Sequence, residues 1–204
     1  QSSILNAKLT DPLVGLANLK GLSKWFTEFS AEEENHRKTI MVSVYNIPQY
    51  KFIYENYGIE DGETVVRFVA DALSLANKDN GFIARSATDE FIVINYVDDE
   101  SEVSVVIDNA VSVFYGVIEG FNSGSDKDYY VEVNCGCTVA NPGWNSSLRT
   151  FIKLANAEMY MNKLKAGMPV QVVKDEKPAD KKKSAKDLYS EFTTLVDKNL
   201  FTYF

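Results

Sequence analysis

Seven residues, Arg85-Ser86-Ala87-Thr88-Asp89-Glu90-Phe91, hold the densest chemistry in this chain. They fall between two β-rich runs, so Ala87 to Glu90 form a predicted hairpin turn. Two adjacent carboxylates at such a tip suit a hard divalent cation, which takes oxygen ligands from carboxylates and backbone carbonyls. The plain alternative is a solvated acidic turn. Other reactive side chains are few. Cys135 and Cys137 lie two apart on a predicted strand and share a face. With a single histidine, His36, the chain cannot assemble a four-ligand zinc set. The cysteines therefore read as small core side chains, and His36, in a polar stretch, as an exposed residue. Tyr50, Tyr54 and Tyr57 either line a groove or pack at helical spacing. Lys181-Lys182-Lys183, flanked by Asp180 and Asp187, reads as solvated linker.

The elements that must position these residues follow from periodicity. Ile4, Leu5 and Leu9 suggest a short helix. Asp11-Pro12 reads as a start signal for a helix running to about Ser30, with Leu16, Leu19, Leu22, Phe26 and Phe29 on one face. Ala31 to Lys38 is polar and predicts a loop. Thr39 to Tyr45 is an apolar β-rich run, hence a buried strand. Helices are predicted from Pro48 to Gly58, from Asp61-Gly62 to about Gly81, over Ser101–Phe121 and over Leu148–Lys165. Strands are predicted at Phe82–Ser86, Phe91–Val97, Tyr129–Val139 and Val170–Val173. The order predicts an α+β fold, a central, mainly antiparallel sheet flanked by helices in a ferredoxin-like arrangement.

Several blocks in this order resemble the GGDEF family of bacterial diguanylate cyclases. Asp11-Pro12-Leu13-Val14-Gly15-Leu16-Ala17-Asn18 is similar to that family's opening D-x-L-T-G-L-x-N. Tyr50-Lys51, Gly58 and Gly62-Glu63 match pieces that follow its first strand. Ala87 to Phe91 stands at its signature loop, and Ala155-Asn156, Met159-Tyr160 and Lys163 resemble its last conserved helix. The resemblance covers about Thr10 to Val173. It implies a nucleotidyl-cyclase-like fold and condensation of two GTP molecules to cyclic di-GMP on facing domains. That reaction is a phosphoryl transfer assisted by Mg²⁺ or Mn²⁺.

On this chain the resemblance places the metal ligands at Asn46, the Ile47 carbonyl and Asp89. Asp89 and Glu90 become the catalytic carboxylates. Nucleotide contacts fall to Tyr54, Glu63, Ala87, Thr88 and Lys163. The departures are as informative. Asn46 stands where the family has an aspartate, and Pro48 where it has another. Ala87 and Thr88 replace two glycines, Tyr54 a guanine-reading asparagine, and Gly167 a phosphate-binding arginine. The product-inhibition motif is absent at Lys78–Gly81. The expectation is a catalytically impaired regulatory module that retains weak metal and GTP binding. The alternatives are an active cyclase and a ligand-free dimerisation or docking module.

Composition sets the outer bounds. A net charge of −8 over 204 residues disfavours nucleic acid as a partner. No run approaches the roughly 20 apolar residues of a membrane span, and two thiols fit a reducing cytoplasm. The chain starts at Gln1 and ends in the apolar stretch Leu200–Phe204, which predicts a piece of a longer protein. Its expected organisation is a linker helix over 1–9, the GGDEF-like domain over 10–173, a charged linker over 174–187, and over 188–204 the start of a following domain. That last segment resembles the lead-in to an EAL phosphodiesterase. Partners on this reading are a guanine nucleotide, the attached EAL-like domain and a second copy of the chain.

Overall fold

The computed structural model describes residues 8–77 and 81–165. The expected helix over 1–9, the product-inhibition positions Lys78–Asn80, the strand at Val170–Val173, Gly167, the linker and the EAL-like lead-in lie wholly or mainly outside them. A five-stranded sheet forms the centre, in the order β1-β3-β4-β2-β5. Its strands are β1 (Ala17–Asn18), β2 (Thr39–Asn46), β3 (Gly81–Ala87), β4 (Glu90–Val97) and β5 (Asn134–Ala140). Only the short β1–β3 pairing is parallel; β3–β4, β4–β2 and β2–β5 are antiparallel. The helices are α1 (Leu19–Ala31), α2 (Tyr50–Tyr57), α3 (Ile59–Ala76), α4 (Val103–Gly124) and α5 (Leu148–Lys165).

Two cores sandwich the sheet. On one face α3 and α4 bury Val65, Val69, Leu73, Phe114 and Ile118 against Tyr45, Phe91 and Val93. On the other, Leu22 and Phe26 of α1 and Phe151 and Ala155 of α5 meet Ile40, Val42, Ile92 and Ile94. The alternation of neighbouring strand residues between the two clusters is the period-two pattern of a sheet covered on both sides. Against the expectation that no run approaches a membrane span, the stretch Glu100–Gly124 is long and apolar enough to cross a membrane, by length and composition only. Here Val103, Ile107, Ala110, Phe114 and Ile118, three or four apart, form its buried stripe.

Four boundaries differ from the sequence-based expectation. Asp11-Pro12 does not start a helix. The Asp11 carboxylate accepts from Leu13 N and Val14 N at 2.9 and 3.1 Å, closing a turn. Gly15 completes that turn at φ 72°, a conformation that favours glycine. The helix begins at Leu19, where the Asn18 side chain caps Lys20 N and Gly21 N at 2.9 and 3.0 Å. The expected loop after α1 contains a 3₁₀ turn, Glu33–Arg37. The second long helix starts at Ile59, directly after Gly58.

The strand expected from Tyr129 starts only at Asn134. Tyr129, Val131 and Val133 are buried as expected. Side chains from the helices, however, serve their backbone. Asn122 accepts from Val131 N at 2.7 Å and donates to Val131 O at 2.9 Å, and Tyr115 Oη donates to Val133 O at 3.1 Å. Both main-chain groups of Val131 and the Val133 carbonyl are thus satisfied without a neighbouring strand.

His36 is not the exposed residue expected. Its two ring nitrogens lie 2.9 Å from Trp144 O and 2.9 Å from Ser30 O, and its ring stacks at 4.5 Å on Trp144. It ties the end of α1 to the loop before α5. Cys137 is fully buried and Cys135 half-buried, both as free thiols. Burial pushes the Cys137 thiol up to about 11, and the Cys135 thiol is raised by the same cause. A thiolate is the reactive species, so alkylation at pH 8 is expected to run about two orders of magnitude slower in the folded chain than in the unfolded one. A thiol-reagent time course in the presence and absence of denaturant checks this. Reaction of either cysteine at the unfolded rate in the native chain contradicts it.

Candidate functional site

The β3–β4 hairpin and the end of β2 bring the expected site residues together. Asn46 closes β2 directly opposite Glu90, which opens β4. A register shift between Arg85 and Ala87 tightens the hairpin, and such bulges re-aim the residues that follow. Thr88 and Asp89 form the tip. Ile47 N donates to Asp89 O at 2.9 Å, which fixes the turn against the end of β2. Ala87 and Thr88 are exposed. Glu90 is held from within its own hairpin, accepting from Ser86 Oγ at 2.7 Å.

Asn46 Nδ2 donates to Asp89 Oδ2 at 3.1 Å and to Asp89 O at 3.4 Å. The expected metal donors Asn46, Ile47 and Asp89 therefore do stand together, but they bring a single carboxylate. An amide N–H already occupies one of its oxygens, and Tyr50 N donates to the Ile47 carbonyl at 3.2 Å. Among the described residues no group of three His, Cys, Asp or Glu side chains gathers as a metal cluster. As arranged, this donor set does not fit a divalent ion, which needs several oxygen acceptors facing one point.

Positive charge reaches Asp89 from another source. Lys163, on α5, lies within electrostatic reach of it. Burial pulls the Lys163 ammonium below its usual pKa, and the Asp89 charge acts in the opposite sense. Tyr50, at the start of α2, sits among Arg85, Tyr54, Glu63 and Asp89. Burial raises its phenol above the usual value, with Arg85 opposing. Electrostatic interaction thus links Asp89 to Lys163 and to Tyr50, with Tyr54 and Glu63 acting on Tyr50 as well.

The remaining expected contacts are altered by their neighbours. Tyr54 lies over Gly62, where an added Cβ would stand 3.1 Å from the ring, and beside Tyr50 with centroids 5.9 Å apart. Its face can stack on a base, but a phenol cannot supply the paired donor and acceptor of an amide. Glu63 is bound at 2.9 Å by Arg67, one helical turn along.

One residue with a structural hold on the site had no role assigned from sequence. Arg85 Nη1 lies 3.2 Å from both Asp11 oxygens, and its Nη2 donates to Thr88 O at the tip. It joins the opening motif to the signature turn. The sequence signal was there, an arginine two residues before the turn with a lone aspartate far upstream, but only the β1–β3 pairing makes them neighbours.

A family model described as "Diguanylate cyclase, GGDEF domain" matches residues 8–168. Diguanylate cyclase DgcP of Pseudomonas aeruginosa is 31% identical over 86 residues, covering 42% of this chain and 13% of that protein. The chain thus spans a small part of this relative's length. Among solved structures, the GGDEF domain of DgcB from Caulobacter crescentus, in complex with c-di-GMP, superposes with a TM-score of 0.63. It is 24% identical and covers 78% of this chain and 92% of its own. The Vibrio cholerae LapD S helix-GGDEF-EAL structure, bound to c-di-GMP, gives a TM-score of 0.63 at 20% identity, covering 97% of this chain and 43% of that one. The sheet order, the hairpin at the signature position and the span of the family match agree: this chain belongs to the diguanylate cyclase GGDEF domain family.

Proposed function

We propose that this domain is a nucleotide-responsive regulator in cyclic di-GMP signalling that binds GTP without cyclising it. The observation that carries the reading is the Asn46 amide donating to the Asp89 carboxylate. Family cyclases need two ions to neutralise phosphate charge and activate the attacking hydroxyl. Here an N–H and the Lys163 ammonium compensate Asp89 instead. Lys163 then serves as the phosphate-binding charge, and the Tyr54 and Tyr50 rings offer a stacking surface for the base. The carboxylates expected to take the attacking hydroxyl's proton are Asp89 and Glu90. Both of these are already engaged as acceptors.

A nucleotide held better in one domain arrangement than another shifts the equilibrium of whatever is attached. The residues after 173 suit a charged linker into an EAL-type phosphodiesterase, and LapD carries GGDEF and EAL in one chain by its own name. That attached domain, a cytoplasmic setting and a paired second copy complete the proposal. Calorimetry with GTP, with and without Mg²⁺, followed by chromatography of the same mixture, tests it. Binding that is equal in both buffers, lost in Lys163→Gln and unaccompanied by cyclic di-GMP is the expected result. Product formation overturns the reading, and absence of binding leaves a ligand-free docking module.

A further inference from the structure

A second cleft lies at the start of α1; it shares Arg85, Ser86, Ala87 and Thr88 with the site above but contains neither Asp89 nor Lys163. We propose that it binds a small, multiply charged phosphate anion. The cavity measures about 390 Å³, and Lys8, Lys20 and Arg85 line it against one carboxylate, Asp11. A water takes about 30 Å³ of liquid volume, so a diphosphate has room.

The charges are arranged unevenly. Asp11 is saturated: its Oδ1 takes Leu13 N and Val14 N, and Arg85 Nη1 spans both oxygens. Lys8 and Lys20 have no ion-pair partner among the described residues.

Both lysines are held in place by their backbones. Asn18 Nδ2 donates to Lys8 O at 3.0 Å, and Asn18 Oδ1 accepts from Lys20 N at 2.9 Å. One side chain therefore anchors the backbone at both lysines. Beneath them the Arg85 side chain is only 10% exposed, and its Nε is buried without a hydrogen-bond partner. A buried guanidinium N–H without an acceptor is costly; to the cleft itself Arg85 brings a third positive charge beside the two lysines. Since Arg85 also grips Thr88 O, an occupant stiffens the tip that carries Asp89.

The test is calorimetry of the intact chain with inorganic pyrophosphate in metal-free, low-salt buffer. The wild type is expected to bind one anion. The double variant Lys8→Gln/Lys20→Gln, at exposed positions that leave the fold intact, is expected to lose about tenfold or more in affinity. Lys163→Gln is expected to bind pyrophosphate as the wild type does. That last arm separates this cleft from the proposed nucleotide site, whose failure would leave this result untouched. GTP titrated in parallel tells a free anion from a nucleotide-borne one, by whether its affinity also depends on Lys8 and Lys20. No binding of millimolar pyrophosphate, or binding that falls with Lys163→Gln and not with the double variant, overturns the proposal.

Discussion

Gly136→Ala is expected to cost about 3 kcal/mol or more and to lower the urea midpoint well below that of the wild type. Gly136 sits in β5 where α5 crosses the sheet. A Cβ there would meet the Ala155 carbonyl oxygen and Met159 N inside van der Waals contact, and Met159 Cα at 2.7 Å. All three are backbone atoms, so no rotamer change relieves the clash. The helix must move away from Val44 and its neighbours, and the packing of Phe151, Ala155 and Met159 goes with it. Overpacking usually costs about 1–3 kcal/mol when side chains can adjust, and a whole domain is stable by only about 5–15 kcal/mol. Urea denaturation followed by circular dichroism reads the effect. Gly120→Ala on α4, with nothing within 4 Å of its added Cβ, is the control. It is expected to be neutral or stabilising by up to about 1 kcal/mol. A Gly136→Ala midpoint equal to that of the wild type would refute the close helix–strand approach.

The second large effect is expected from Asn46→Asp. The change exchanges an N–H donor 3.1 Å from Asp89 Oδ2 for a carboxylate oxygen. Without a cation, two carboxylates at that distance repel and the variant melts below the wild type. With Mn²⁺ or Mg²⁺ the two carboxylates and the Ile47 carbonyl supply oxygen ligands. An ion at 100 times its dissociation constant stabilises by about 2.7 kcal/mol, which for a domain of this size is about 5–10 °C. The wild type is expected to shift by far less in the same ion. Adding Asp89→Ala to the variant should remove the response. Thermal melts across a metal titration decide it: an Asn46→Asp variant indifferent to Mn²⁺ shows that something besides this one amide blocks the ion.

Much of the fold was legible because its signals are local. The β3–β4 hairpin, the buried β2 and the stripe on α4 each follow from period-two or period-3.6 patterns. The neighbourhood of the site came from the family resemblance and not from spacing: Asn46 donates to Asp89, and the Asp89 charge acts on Lys163, 117 positions after Asn46. What stayed hidden depends on distant partners. The late start of β5 reflects Asn122 and Tyr115 taking the main-chain groups of Val131 and Val133. The late start of α1 reflects competition between Asp11 and Asn18 as caps, which Gly15 decides by turning the chain first. His36 looked exposed because its partners Ser30 and Trp144 meet it only after α1 and the 140s loop close over it.

The register of β2 has a consequence for how the chain is made. Ile40 pairs with Tyr96 on one side and with Ala140, 100 residues later, on the other. A ribosome adds about 5–20 residues per second, so β2 emerges about 5–20 s before its second neighbour exists. Throughout that interval one edge of Thr39–Tyr45, an uncharged run without proline, faces solvent bare. Edges of that kind recruit other strands. Closing a loop this long is also slow, so β5 and α5 dock late. The yield of folded chain is therefore expected to be governed by translation speed and chaperone supply over that window, before any question of stability arises.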